Sequence, residues 1–174
     1  MIGFIQEILP VLVLIANVGT VILFFALLFR NSWGKSFSMW VGKHSLLFSF
    51  LVVSLAVSGS LFYSNIVGFE PCLFCWWQRI AIYPLLVLFL VALHKKDRGV
   101  FKYSVPLSLL ALLIAIYHSY VQWGGSPLIP CDATASCSML YVYAFGYITI
   151  PSMVLSIAIL LLLIAWASKV YDKR

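Results

Sequence analysis

The sequence predicts an all-α membrane protein: a four-helix transmembrane bundle preceded by one additional N-terminal transmembrane helix, five spans in all. Of 174 residues, 64% are hydrophobic and 9% charged. So little polar surface cannot cover a soluble globule of this size. Apolar runs recur near 6–29, 44–66, 73–93, 103–123 and 147–167. Each is about 20 residues, enough for roughly 30 Å of hydrocarbon. The net charge of +6 does not gather into a basic domain, so nucleic acid is not an expected partner; the lipid bilayer is. Arg30, Lys35 and Lys43 fall in the first loop, Lys95, Lys96, Arg98 and Lys102 in the third, and Lys169, Lys173 and Arg174 in the tail. Segments 68–71 and 124–144 carry Glu70 and Asp132 but no Lys or Arg. By the positive-inside rule the N-terminus is outside, the C-terminus inside, and all four cysteines share the outer face.

The first span is expected to be retained rather than cleaved as a signal peptide. Glu7 and no base precedes it, its apolar run is long, and Arg30 follows it. Residues 1–43 are read as this extra helix with its cytoplasmic loop, and 44–174 as the bundle with an outer cysteine loop. Inside hydrocarbon every backbone donor and acceptor must be satisfied within the segment, and strand-type alternation is absent, so the spans are helices. The second span carries Ser45, Ser49, Ser54, Ser58 and Gly59, small residues that let a neighbouring helix approach closely. Pro71, Pro106 and Pro151 fall near the starts of the last three spans, where a missing N–H costs little. Pro84 lies inside the third span and is expected to loosen or kink it. Between the fourth and fifth spans, Gly124, Gly125, Ser126, Pro127 and Pro130 are turn chemistry. Met139 to Phe145 is then an aromatic-rich stretch suited to a membrane interface.

Chemistry concentrates at the start of the third span. Cys72, Cys75 and Arg79 stand at i, i+3 and i+7, along one helical stripe. A sulfur in the first helical turn meets unpaired N–H groups and the positive end of the helix dipole, and Arg79 adds a permanent charge about 6 Å along the axis from Cys75. A lipid-facing arginine at that depth costs about 2.5–3.5 kcal/mol, so Arg79 should face the bundle interior or snorkel. Three readings of the cysteines compete. A metal site wants four convergent thiolates or added histidines, but His44 and His94 map to the cytoplasmic side. A structural bundle with two inert disulfides suits an oxidising face, although a C-x-x-C bridge closes too small a loop to stabilise much. The third reading is a thiol-disulfide relay: Cys131 and Cys137 in reach of a soluble protein, Cys72 and Cys75 at the membrane boundary, where an apolar electron carrier dissolves.

The stretch from Gly68 to Arg79, the later pair Cys131 and Cys137, and the run from Gly146 to Pro151 together resemble the DsbB family of quinone-dependent disulfide-forming membrane proteins, particularly its short-loop BdbC-type branch. The resemblance spans roughly 44–167 and rests on C-x-x-C-x-x-Q-R at a membrane helix start. It implies a bundle that takes electrons from a DsbA-like thioredoxin-fold thiol oxidase and passes them to a membrane quinone, ubiquinone or menaquinone. Such a partner, at about −120 mV, would soon fill a lone dithiol with electrons, so turnover needs an external sink. Carried over by position, Cys75 is the cysteine nearest the quinone, Arg79 supports it, Cys72 is the exchanging partner, Cys131 meets the soluble protein, and Cys137 resolves the mixed disulfide or bridges to Cys72. His118 and Gln78 are candidates to hydrogen-bond a quinone carbonyl, with ordinary helix packing as the competing role for each; no metal is assigned. The opposite electron flow, as in vitamin K epoxide reductase-like enzymes, fits less well, because there the loop cysteines precede the C-x-x-C.

Overall fold

The computed structural model describes residues 2–29, 34–129, 131 and 136–173. Arg30, Pro130, Asp132 and Arg174, used above for topology and turns, lie outside the described residues. Among the described residues six α-helices follow one another: α1 (Ile2–Leu28), α2 (Gly34–Lys43), α3 (Ser45–Leu61), α4 (Leu73–Lys95), α5 (Phe101–Gln122) and α6 (Ile150–Asp172). Among the described residues five helical segments, all but α2, are long and apolar enough to cross a membrane, as the sequence predicts. Among the described residues there is no strand, only an isolated antiparallel bridge between Ala144 and Ile148.

The helix α6 is the centre of the molecule. Half of its most apolar stretch is buried, against 17% for α1, because α1, α2, α3 and α5 all pack against it. The order α3–α4–α5–α6 closes into the four-helix bundle through the α3–α6 contact. Val53, Leu85, Phe89, Ala111, Ala158 and Leu161 fill its middle. Burying such side chains is worth about 1.5–3 kcal/mol each in water, but lipid tails are as apolar as leucine, so here close packing rather than water exclusion selects the partners. Ser45 and Ser49 are fully buried on α3, in keeping with the small-residue stripe.

Three local features depart from the plain five-helix expectation. The first loop contains α2, which is too short to span; it buries Ser38, Val41 and Gly42 while exposing Phe37 and Trp40. Its contacts with α1 and α6 form a second apolar cluster, with Leu23, Leu27, Val41 and Ala167. The second span does not stay α-helical to its end, for Phe62–Ile66 form a π-turn, closed by the Val67 N–H to the Phe62 carbonyl at 3.0 Å. Gly68 then reverses the chain at a φ of +84°, a conformation costly for residues with a Cβ. Finally, Pro106 sits within α5 rather than at its first turn, since the helix already begins at Phe101, directly after a short 3₁₀ turn (Arg98–Val100). The helix α4 continues through Pro84 to Lys95.

At the basic end, Arg98 gathers three elements. It donates to the Asp172 carboxylate at 2.7 Å and to the Lys43 carbonyl at 2.9 Å, and lies over the Tyr171 ring at 4.4 Å. Nearby, α2 and α6 come so close that a Cβ on Gly42 would stand 2.6 Å from the Ala167 carbonyl oxygen. Gly42→Val should therefore separate α2 from α6 and lower stability by about 1–3 kcal/mol. Thermal unfolding in detergent checks this, and an unchanged midpoint would contradict the close approach.

Candidate active site

The helix α4 begins at the dithiol, where Cys72, directly after Pro71, serves as N-cap. Cys72 has extended backbone (φ −68°, ψ 171°), and its sulfur accepts the Cys75 N–H at 3.4 Å. An N-cap sits outside the helical spiral while the residue three further on sits within it. That difference sends the two sulfurs toward different surroundings even though they lie 2.9 Å apart.

Cys72 is buried in a cluster with Phe74, Val121 and Cys137, facing α5. The Nε2 of His118 stands 3.6 Å from the Cys72 sulfur and 3.2 Å from the Cys137 carbonyl oxygen. Accepting carbonyls require a donor, so Nε2 carries the hydrogen and presents it toward both groups. Cys131 and Cys137 form a disulfide, with Cα atoms 6.0 Å apart. Cys137 is buried and Cys131 is partly exposed. Gln122, one turn beyond His118, donates to the Met139 carbonyl at 3.2 Å and ties the cysteine loop to α5.

Cys75 instead lines a cavity of about 190 Å³ with Gln78 and Arg79. Arg79 faces inward, as its desolvation cost demands. Its Nε donates to the Ser60 hydroxyl at 3.1 Å and its Nη2 to the Ser60 carbonyl at 3.2 Å. The Trp76 ring, 5.1 Å from the guanidinium carbon, adds a cation–π contact. Tyr83, one turn beyond Arg79, donates to the same Ser60 hydroxyl at 3.2 Å. No carboxylate pairs with Arg79 among the described residues, so its charge is held by dipoles and rings and stays available to an electron-rich ligand. Gln78 is buried with its Nε2 unpartnered, and the Tyr63 hydroxyl, on the π-turn, is also buried and unpartnered; both residues line the cavity. Phe69 stacks between Tyr63, at 5.8 Å, and Tyr141, at 4.7 Å, and so carries the aromatic wall from α3 to the loop before α6.

Of the residues singled out in the sequence, Cys75, Gln78 and Arg79 meet at the cavity, whereas Cys72, His118, Cys131 and Cys137 gather on the α5 side. His118 is not among the cavity-lining residues. The motif Gly146 to Pro151 builds the entry to α6. Phe145 and Gly146 turn at positive φ, Thr149 and Ser152 form a reciprocal capping box, and Pro151 occupies the first turn. Ser60, Tyr63 and Tyr83 went unnoticed in the sequence. The i+4 spacing of Tyr83 from Arg79 was the available signal, while nothing in a serine-rich helix distinguishes Ser60 from its neighbours.

The family model described as "Disulfide bond formation protein DsbB" matches residues 42–168. The chain belongs to the DsbB family. Among its relatives, the SPbeta prophage-derived disulfide bond formation protein B of Bacillus subtilis (strain 168) is 40% identical over 112 residues, covering 64% of this chain and 76% of the relative. Disulfide bond formation protein C of the same organism is 40% identical over 118 residues, 67% of this chain and 85% of its own length. A probable disulfide formation protein of Coxiella burnetii (strain CbuK_Q154) is 39% identical over 112 residues, covering 63% and 76%. No solved structure matches the chain. As a DsbB-family protein with five apolar spans, it is a multi-pass membrane disulfide oxidoreductase.

Surroundings set the charge on the dithiol. The hydrogen bond from the Cys75 thiol is the largest influence on Cys72; with His118 and the Cys75 N–H, it outweighs burial and lowers the Cys72 pKa from 9.0 to about 4. In the reduced DsbB-type pair, Cys72 should therefore be a thiolate at neutral pH, protonating only as pH falls toward about 4. Thiolate absorbance of the reduced protein across a pH series measures this. Cys75→Ala should raise the midpoint more than His118→Phe, and an ordinary thiol midpoint in the unsubstituted protein would contradict the geometry.

Proposed function

We propose that this DsbB-family protein reoxidises a DsbA-like thioredoxin-fold thiol oxidase and passes the electrons to a membrane quinone. The observation that carries the reading is the division of the dithiol: Cys72 faces the Cys131–Cys137 disulfide across His118, and Cys75 shares an apolar cavity with Arg79. One pair of sulfurs borders both a protein-facing disulfide and a lipid-type binding site. The proposed functional unit is the bundle 44–174, with 1–43 accessory to it, and the cysteine end faces the extracytoplasmic side of a bacterial inner membrane.

In the proposed relay, a thiolate of the partner attacks Cys131, the more exposed sulfur of the loop disulfide. Cys137 leaves as a thiolate, and the partner's second thiol resolves the mixed disulfide, so the partner ends oxidised and the loop pair reduced. Cys137 then attacks Cys72 of an oxidised Cys72–Cys75 pair, and Cys75 leaves. Cys131 attacks Cys137 in turn, which restores the loop disulfide and frees Cys72. Two electrons and two protons now reside on the Cys72–Cys75 dithiol. The low pKa of Cys72 makes it a good leaving group in that last exchange, and the Nε2–H of His118 stabilises the departing charge.

A quinone is an apolar ring with two carbonyl acceptors, and the cavity offers an apolar lining with two buried, unpartnered polar groups, on Gln78 and Tyr63. These residues fit it. Gln78 and Tyr63 would donate to the carbonyl oxygens, and Arg79 would favour the accumulation of negative charge beside Cys75. When bound, the quinone supplies the two-electron sink that the protein's own thiols lack. His118 acts on the opposite side of the dithiol, as a positioning group for Cys72.

The metal-handling alternative draws on one observation: the donor atoms of Cys72, Cys75 and His118 lie within 4.8 Å of one another. It predicts stoichiometric tight zinc binding by the reduced protein, lost in Cys72→Ser, whereas the relay requires no zinc.

The relay is tested by following quinone consumption by the purified protein with a reduced thioredoxin-fold partner. Cys75→Ser should abolish consumption; undiminished turnover in that variant would overturn the assignment. Arg79→Met should leave the bundle helical but raise the KM for quinone about tenfold, equivalent to ~1.4 kcal/mol of lost binding. Unchanged quinone kinetics would remove Arg79 from the site.

A further inference from the structure

The family match begins at residue 42, yet α1, which lies wholly before it, forms part of the cavity wall. Leu9, Leu12, Val13 and Ala16 line it. Their spacing of i, i+3, i+4 and i+7 is one continuous stripe of a helix. On α3, Gly59 lies beside this stripe: a Cβ there would stand 3.4 Å from the Leu9 side chain. Asn17 fastens the same helix to the loop before α6, donating to the Tyr147 hydroxyl at 3.2 Å.

The cavity is polar at one end only. Cys75, Gln78, Arg79, Ser60, Ser64 and the Glu70 carboxylate mark that end. From Ser60 the lining continues along α3 through Ala56 to Val52, eight residues or about 12 Å of helix, and the facing side of α6 continues to Leu160. The remainder is apolar and longer than a headgroup requires. On its α1 side that space is bounded by the Leu9–Ala16 stripe.

We propose that α1 is the wall of a tail-binding channel, and that its Leu9–Ala16 stripe holds the isoprenoid chain of the quinone whose ring lies beside Cys75 and Arg79. This rests on the quinone reading above and adds to it a determinant of tail length supplied by the helix outside the family match. The channel makes the protein discriminate among quinones by their tails rather than by their rings alone. Ala16 is the position where added bulk would obstruct the tail without touching the dithiol, and Ile15, next to it but 62% exposed on the outer face, is the matched control.

The experiment compares KM for a long-tailed quinone and its tailless analogue in the full-length protein, with reduced partner in excess. Ala16→Trp should raise KM for the long-tailed quinone about tenfold and leave KM for the tailless analogue unchanged, while Ile15→Trp should change neither. Leu12→Trp, on the same stripe but partly exposed, repeats the test with less demand on packing. Equal KM values in the Ala16 and Leu12 variants and the unsubstituted protein, or an equal rise for both quinones, would overturn the channel while leaving the quinone reading intact. An unsubstituted protein that reduces neither quinone contradicts that reading itself, and the channel with it.

Discussion

A permanently charged guanidinium inside an apolar bundle is the constraint around which this molecule is arranged. Hydrocarbon offers Arg79 nothing, so α3 must bring Ser60 to it, hydroxyl and carbonyl together, and α4 must supply Trp76 and Tyr83 from the turns on either side. Meeting that demand sets the register of α3 against α4 at the cysteine end. It also leaves a cavity lined by that positive charge, the Glu70 carboxylate, a free thiol and two unpartnered polar groups. A stabilised charge without a carboxylate partner is well suited to an electron acceptor that gains negative charge, and poorly suited to purely structural packing.

The second determinant is the place where α4 begins. Had the helix started a turn earlier, both sulfurs would project from the spiral in nearly the same direction. With Cys72 as N-cap, its sulfur lies against α5 and His118 while Cys75 turns toward the cavity. Two different surroundings, one against the His118 imidazole and the loop disulfide and one on the apolar cavity, are thereby reached from residues only three positions apart. The loop disulfide is brought to the first of these sites by the Gln122 tether and by the His118 bond to the Cys137 carbonyl.

Much of this was legible in the sequence, for identifiable reasons. The five spans were, because hydrocarbon forces long apolar runs into helices and the basic residues alternate by loop. For Arg79 the cost of a lipid-facing position left two choices, the bundle interior or a snorkelling path to the interface, and in the fold it lines the cavity. Other features were not. The short α2 has neither the length of a span nor the composition of a soluble helix, and its aromatic residues, Phe37 and Trp40, read equally well as interfacial loop. The π-turn that carries Tyr63 into the cavity leaves no periodic signature, since one extra residue in a uniformly apolar stretch changes nothing in the pattern. Ser60 was hidden among equivalent serines, and the role of the stripe from Leu9 to Ala16 depends on which helix it meets. His118 reads in sequence as a candidate near a quinone, but in the fold it lies beside Cys72 and Cys137, because α5 packs on the far side of the dithiol from the cavity.

In the proposed relay the dithiol exchanges with the loop pair through Cys72 and Cys137. Oxidising the Cys75→Ser/Cys131→Ser double variant, which leaves only those two thiols, and mapping its peptides by mass spectrometry tests this without any quinone or partner. An intramolecular Cys72–Cys137 disulfide is the predicted product; two thiols that stay free, or that bond only between molecules, would contradict the relay.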